Sequence, residues 1–266
     1  MTKRLFCILA AVVLLCCGCA GEDGRRVSGE DTKLVSRLEN TAELQKSIFV
    51  ADILSTSVEN AVITKYNIDL SKYTVYTVDI TKSLDGFTPT GRAKLYCVGT
   101  SAEFMSRINL KKGERYIIDA QPWVYGGEIV YLLSVYTTAY PRVDTAQMVT
   151  LAQSETEALS CGSLSEYEAQ YEAAKAAVEA RVPGFFAPQN ILSRFGETVS
   201  EIKTKNTDPS AYGKERGYEW IPGDEFIAQT AQKSEALFER YSEFAAGTHT
   251  AAEAYEFINS ALSGNF

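Results

Sequence analysis

From residue 48 to 140 the chain keeps one composition: SIFVADILSTSVENAVITKYNI, YTVYTVDITKSL, GRAKLYCVGT, ERYIIDAQPWV and GEIVYLLSVYT are all rich in Val, Ile, Thr and Tyr. Branched and aromatic side chains suit a pleated, half-buried surface, so these runs read as strands. Their breaks carry turn residues: Asp85-Gly86, Lys112-Gly113 and Gly126-Gly127. The last pair, between YIIDAQPWVY and EIVYLLSVY, predicts a tight hairpin. Between the third and fourth runs lies SAEFMSRINL, short and compatible with a helix.

Five or six strands in about 90 residues, with one short helix between the third and fourth, is the element order of an OB-type barrel; a generic β-sandwich is the alternative. Two stretches carry a closer likeness. YTVYTVDITKSLDG resembles the second strand and turn of netrin-like modules, the barrel family that includes tissue inhibitors of metalloproteinases. LKKGERYIIDA followed by GGEIVYLL resembles that family's strand after a Leu-x-x-Gly turn and its next hairpin. The resemblance covers about a third of the chain and implies an OB-like barrel. In the inhibitors a free amino-terminal cysteine chelates the protease zinc, so it also brings in a regulator or inhibitor of an extracellular protease as one function to weigh.

At the other end of the polarity scale, Lys3 and Arg4 precede an eleven-residue apolar segment, Leu5 to Leu15. That is well short of the roughly 20 residues needed to span a bilayer as a helix, and it has the form of a secretory signal. The following Cys16-Cys17-Gly18-Cys19 is similar to a bacterial lipobox, in which an apolar residue and two small residues precede an acceptor cysteine. The resemblance implies cleavage after Gly18 and lipid attachment at Cys19, with Cys17 the second choice. A diacylglycerol anchor with added palmitate-type acylation holds a protein to a membrane without spanning it. Residues 1–18 are therefore expected to be a signal peptide, and 19–32, AGEDGRRVSGEDT after the cysteine, a flexible tether. The expected location is the extracytoplasmic face of the cell membrane.

Charge narrows the partners. Lys3 and Arg4 are the only charged residues among the first eighteen, and the rest carries 24 basic against 34 acidic side chains, a formal charge of −10. A phosphate backbone would be repelled, so nucleic acid is not expected as a partner, whereas an envelope protein or glycan is open. Past Cys19 only Cys97 and Cys161 remain, too few for a disulfide-rich scaffold; one bridge and two buried thiols are both compatible with that count.

A helix or helical pair is predicted at about 32–46, with Leu34, Val35, Leu38 and Leu44 as apolar positions and Asn40 to Glu43 as a capping box that divides it. With it, residues 33–140 form the expected barrel domain. Residues 141–266 read as a mostly helical region, making the fold class α+β. Leu164, Tyr167, Tyr171, Ala174 and Val178 recur at helical spacing and end at Pro183-Gly184. VPGFFAPQNILSRFGETVSEIKTKNTDPSAYGKERGYEWIPGD reads as less regular, because Pro and Gly punctuate its aromatics. Two further helices are predicted at about 224–245 and 250–262, the second opened by Thr250-Ala-Ala-Glu253. Whether this region has its own core or packs on the barrel is left open by the pattern.

Chemistry-bearing residues are few. His249, the only histidine, lies in Gly-Thr-His-Thr at a helix start and reads as a turn residue; a triad or a two-histidine zinc site needs more. Glu155, Glu157, Glu166, Glu168 and Glu172 read as solvated positions, although paired carboxylates would suffice for a glycosidase-type envelope hydrolase. Gly213 to Gly217 lacks the Lys-Ser/Thr of a phosphate loop. No cofactor or metal is expected. The candidate ligand-binding residues are aromatic: Trp123 and Tyr125 at the Gly126-Gly127 turn, and Tyr218 and Trp220 in the irregular stretch. Exposed, they would stack on sugars or anchor a protein; buried, they would form a seam between barrel and helices. The function expected is a non-enzymatic binding or structural module at the cell envelope.

Overall fold

The computed structural model describes residues 47–63, 72–98, 110–133, 164–208 and 220–266, with 214, 215 and 217 besides. The helix expected at 32–46, most of SAEFMSRINL, and Cys161 lie outside them. The strands are β1 (Ser47–Asn60), β2 (Lys72–Ser83), β3 (Gly91–Val98), β4 (Arg115–Tyr125) and β5 (Glu128–Leu133). Four helices follow among the described residues: α1 (Leu164–Arg181), α2 (Pro188–Asn206), α3 (Asp224–Ala245) and α4 (Ala251–Leu262). The architecture is α+β.

The strands close into a barrel in the order β1-β2-β3-β5-β4. Every pairing is antiparallel except β3 with β5, which run parallel. The 14-residue β1 serves both neighbours: its first residues, Ser47 to Asp52, pair with β4, and from Phe49 onward it pairs with β2. The β1–β2 register slips at Val50/Ala51 and again at Ile53/Ser55. Such bulges bend and twist a strand, which a barrel of only five strands needs in order to close.

Alternation of side chains divides the molecule's interior. Phe49, Ala51 and Ile53 of β1 meet Tyr76 and Val78 of β2 and Ile118 of β4 inside the barrel. The intervening Ile48, Val50 and Ile117 point outward, where Tyr167, Tyr171, Ala174 and Val178 of α1 cover them. A third cluster joins outward barrel residues, among them Tyr73, Tyr96 and Trp123, to Ile191, Val199, Leu237 and Ile258 of α2, α3 and α4. The helical region and the barrel thus bury one shared apolar surface.

The Gly126-Gly127 turn joins β4 to β5, with Tyr125 opposite Glu128. Both glycines have positive φ, 62° and 76°, as a two-residue turn matching the strand twist requires. A Cβ on Gly126 would also fall 2.5 Å from Phe226 Cε2 of α3, so two constraints select glycine there. Its N–H donates to Thr230 Oγ1 at 2.8 Å, tying the hairpin to α3.

One expectation is corrected. Within the stretch read as irregular, Pro188–Asn206 is a 19-residue helix. Pro188 occupies the first turn, where its missing N–H has no helical partner to lose. Ile191, Leu192, Phe195, Val199 and Ile202 form a buried stripe, and Gly196 interrupts the composition because Tyr241 of α3 packs where its side chain would be. Thr250 caps α4 as expected, in a reciprocal capping box with Glu253.

Candidate functional site

Strands β3 and β5 hold together only over Leu95–Cys97 and Tyr131–Leu133. Before that the two strands are unpaired with each other: Gly91 to Lys94 pair with β2 alone and Glu128 to Val130 with β4 alone. A cleft of about 550 Å³ lies between these two stretches, and the end of α4, Leu262 to Gly264, forms part of its wall. That volume is in the range of small-molecule sites.

Its lining follows from the strand alternation. Arg92 and Lys94 alternate on β3 with Ala93, which packs against the barrel core. Arg92 is exposed and sits across the β2–β3 ladder from Asp79 without forming an ion pair. Lys94 reaches Glu128 only at 3.9 Å, and both side chains are well exposed, so the pair is weak. Lys233 of α3 is held firmly: Nζ donates to Gly264 O at 2.8 Å and lies 3.9 Å from the centroid of the Phe266 ring. Partial burial lowers its ammonium from the ordinary lysine value. Tyr131 also lines the cleft, 2% exposed, its ring edge-on to Phe49. Its hydroxyl is buried without a hydrogen-bond partner, and burial raises its pKa.

The second conspicuous polar group is Asp85, a buried carboxylate in the turn after β2. Oδ1 accepts from Ser83 Oγ at 2.8 Å, Phe87 N at 2.8 Å and Thr88 N at 2.7 Å; Oδ2 accepts from Ile48 N and Thr88 Oγ1, both at 2.6 Å. Burial raises its pKa, against the lowering effect of the donors from Thr88, Ile48 and Phe87. All five donors belong to the turn and the adjoining start of β1, so this carboxylate organises the join between β1 and β2. Its oxygens are committed to structure.

The aromatic candidates fall elsewhere. Trp123 is wholly buried and Tyr125 7% exposed, both in the seam between barrel and helices. Tyr125 packs edge-on against Tyr96 and against Phe226 of α3, with centroids 5.5 and 4.7 Å away, and its hydroxyl accepts from Val62 N at 3.3 Å. Neither ring offers a face to a ligand. Trp220 is half-buried, whereas Tyr218, Cys17 and Cys19 lie outside the described residues. His249 stacks on Phe244 at 3.7 Å and its Nε2 lies 2.6 Å from the Phe244 carbonyl, which fastens the α3–α4 turn. Of the acids, Glu168 pairs with Lys82 and Glu172 with Lys175, while Glu155 and Glu157 lie outside the described residues.

The residues of the cleft were read in sequence as strand and helix only. The alternation in GRAKLYC makes Arg92 and Lys94 share a face, but nothing local brings Lys233 and the end of α4 beside them. No protein-family model, curated protein or solved structure matches the chain. Among the described residues no group of His, Cys, Asp and Glu is arranged to hold a metal ion, and no helix is long and apolar enough to cross a membrane.

Proposed function

We propose that the chain is a lipid-anchored lipoprotein of the extracytoplasmic membrane face, acting as a non-enzymatic binding module on an OB-like barrel. The barrel assignment is supported by the closed order β1-β2-β3-β5-β4 with β3 and β5 parallel. OB-type barrels commonly take oligosaccharides and other extended ligands. The anchor rests on the basic start, the short apolar core and the Gly18-Cys19 pair. The observation that carries the binding reading is the cleft between β3 and β5, rimmed by cations in a chain that is acidic overall.

The anchor is tested by mass spectrometry of the mature amino terminus after expression in a bacterium. The expected result is a diacylglycerol-modified Cys19 and loss of modification in Cys19→Ala. A modified terminus at Cys17 moves the acceptor, and an unmodified terminus removes the anchor. For the binding part, the purified chain is screened against envelope glycans and peptides, where retention without turnover is expected and product formation would replace this reading with a hydrolase.

A further inference from the structure

We infer that the cleft between β3 and β5 binds a compact organic carboxylate, with Arg92 as the principal charge partner. This rests on the binding reading above and names the ligand chemistry of that site.

The argument is one of donors and acceptors. Arg92 projects five N–H donors and has no hydrogen bond or ion pair among the described residues. Lys94 is tied only by its long, exposed contact to Glu128. Lys233 spends one N–H on Gly264 O and turns toward the Phe266 ring; an ammonium has three N–H donors, so at least one remains. Against these stands one lining acid, Glu128, with Asp79 behind Arg92 on the neighbouring strand. The excess of donors calls for an acceptor-rich, anionic ligand.

The rest of the lining selects its body. Ile80, Ala93, Ile129 and Leu262 give the cleft apolar surface, which a bare inorganic anion would leave wet. A carboxylate on a ring or short apolar stem uses both: the carboxylate lies in the guanidinium fork, where two parallel hydrogen bonds form, and the body covers the apolar residues. About 550 Å³ accommodates one or two sugar rings or a dipeptide. An acidic sugar and an acidic peptide share this chemistry.

The test is isothermal titration of the purified full-length chain in neutral detergent micelles. The probes are a glucuronate-containing disaccharide, an acidic dipeptide, the neutral disaccharide chitobiose, and inorganic phosphate. At least one carboxylate probe is expected to bind, and the one that does names the source. Raising the salt should weaken it, and Arg92→Glu should weaken it about tenfold or more. Arg240→Glu, the same change of charge on the exposed face of α3, should leave binding intact, and circular dichroism should be unchanged in both variants. Failure of both carboxylates overturns the inference, as does phosphate binding as tightly as either. Chitobiose binding equally well, unaffected by Arg92→Glu, overturns the anionic assignment while sustaining the binding module. Carboxylate binding that Arg92→Glu leaves unchanged removes the ligand from this cleft.

Discussion

Asp85 receives three backbone N–H groups and two hydroxyls in a buried turn, and a carboxylate, with two acceptor oxygens and about four lone-pair sites, is the common side chain that comes nearest to accepting them all. Asn in its place keeps one acceptor oxygen and turns an NH₂ toward the donors. Asp85→Asn is therefore expected to cost about 3 kcal/mol or more, read from the urea midpoint, because buried donors left without acceptors cost about 1–3 kcal/mol each. A cost below 1 kcal/mol would mean that the turn holds without its carboxylate. Cys97 is the opposite kind of buried group. Its thiol, 2% exposed inside the barrel, is pushed up to about 12 by burial, so no thiolate forms near neutral pH. Iodoacetamide at pH 8, followed by peptide mass mapping, should leave Cys97 unmodified in the native protein and modify it in urea. At this scale little of the candidate site was legible in sequence. Trp123 and Tyr125 drew attention as large aromatics beside a turn, and the structure turns them into the seam because α3 lies against that turn. Arg92 and Lys94 look like ordinary polar positions of a strand until the end of α4 is laid beside them.

Strands and helices were far more legible than their companions. The Val/Ile/Thr/Tyr runs and the Gly126-Gly127 turn are local signals and appear as β1 to β5 and a tight hairpin. The apolar spacing of α1, α3 and α4 appears as helices with those bounds to within a residue or two. The miss was α2, where Pro188 and Gly196 read as breaks: Pro188 sits where a helix tolerates it, and Gly196 answers to Tyr241, a contact 45 positions away in sequence. The capping box of α4 was visible, and it sets a prediction: Thr250→Ala should lower stability by about 1 kcal/mol in chemical denaturation, since one N-cap acceptor is lost. Strand pairing brings a pH term. Arg115 of β4 grips Asp52 of β1 through both carboxylate oxygens, at 2.7 and 3.1 Å, and that hydrogen bonding lowers the aspartate from its ordinary 3.8. A carboxyl depressed on folding contributes stability above its unfolded pKa, and the contribution disappears as the pH falls through the lowered folded value. Both side chains are over a third exposed, so the pair is worth below about 1 kcal/mol. Asp52→Asn should accordingly flatten part of the stability loss measured between pH 5 and pH 2 by about that amount, and an unchanged acid limb would show that the pair contributes nothing.

At the scale of the molecule, the helical region acts as the outer wall of the barrel. Trp123, wholly buried, lies in the cluster that joins β4 to α2, α3 and α4, and polar ties run alongside it: Asn206 Nδ2 donates to Val124 O at 2.8 Å and Asn259 Nδ2 to Phe87 O at 2.9 Å. A barrel without the helices would expose Tyr73, Tyr96 and Trp123 together, and helices without the barrel would lose the surface their apolar stripes cover. The barrel has its own interior cluster around Phe49, Tyr76 and Ile118, but its outer face and the apolar stripes of the helices are buried against each other, so barrel and helices should unfold as one unit. With Trp220→Phe, Trp123 remains the only tryptophan, and its fluorescence reports the seam while circular dichroism at 222 nm reports the helices. The two urea transitions are expected to coincide. Trp123→Ala, in the otherwise natural chain, should lower the midpoint by the equivalent of about 3–5 kcal/mol and move helix and strand signals together. A helical signal lost at lower urea than the Trp123 fluorescence change would show that the barrel's interior cluster holds it together without the helices, and the seam would then be a docking surface instead of part of the fold.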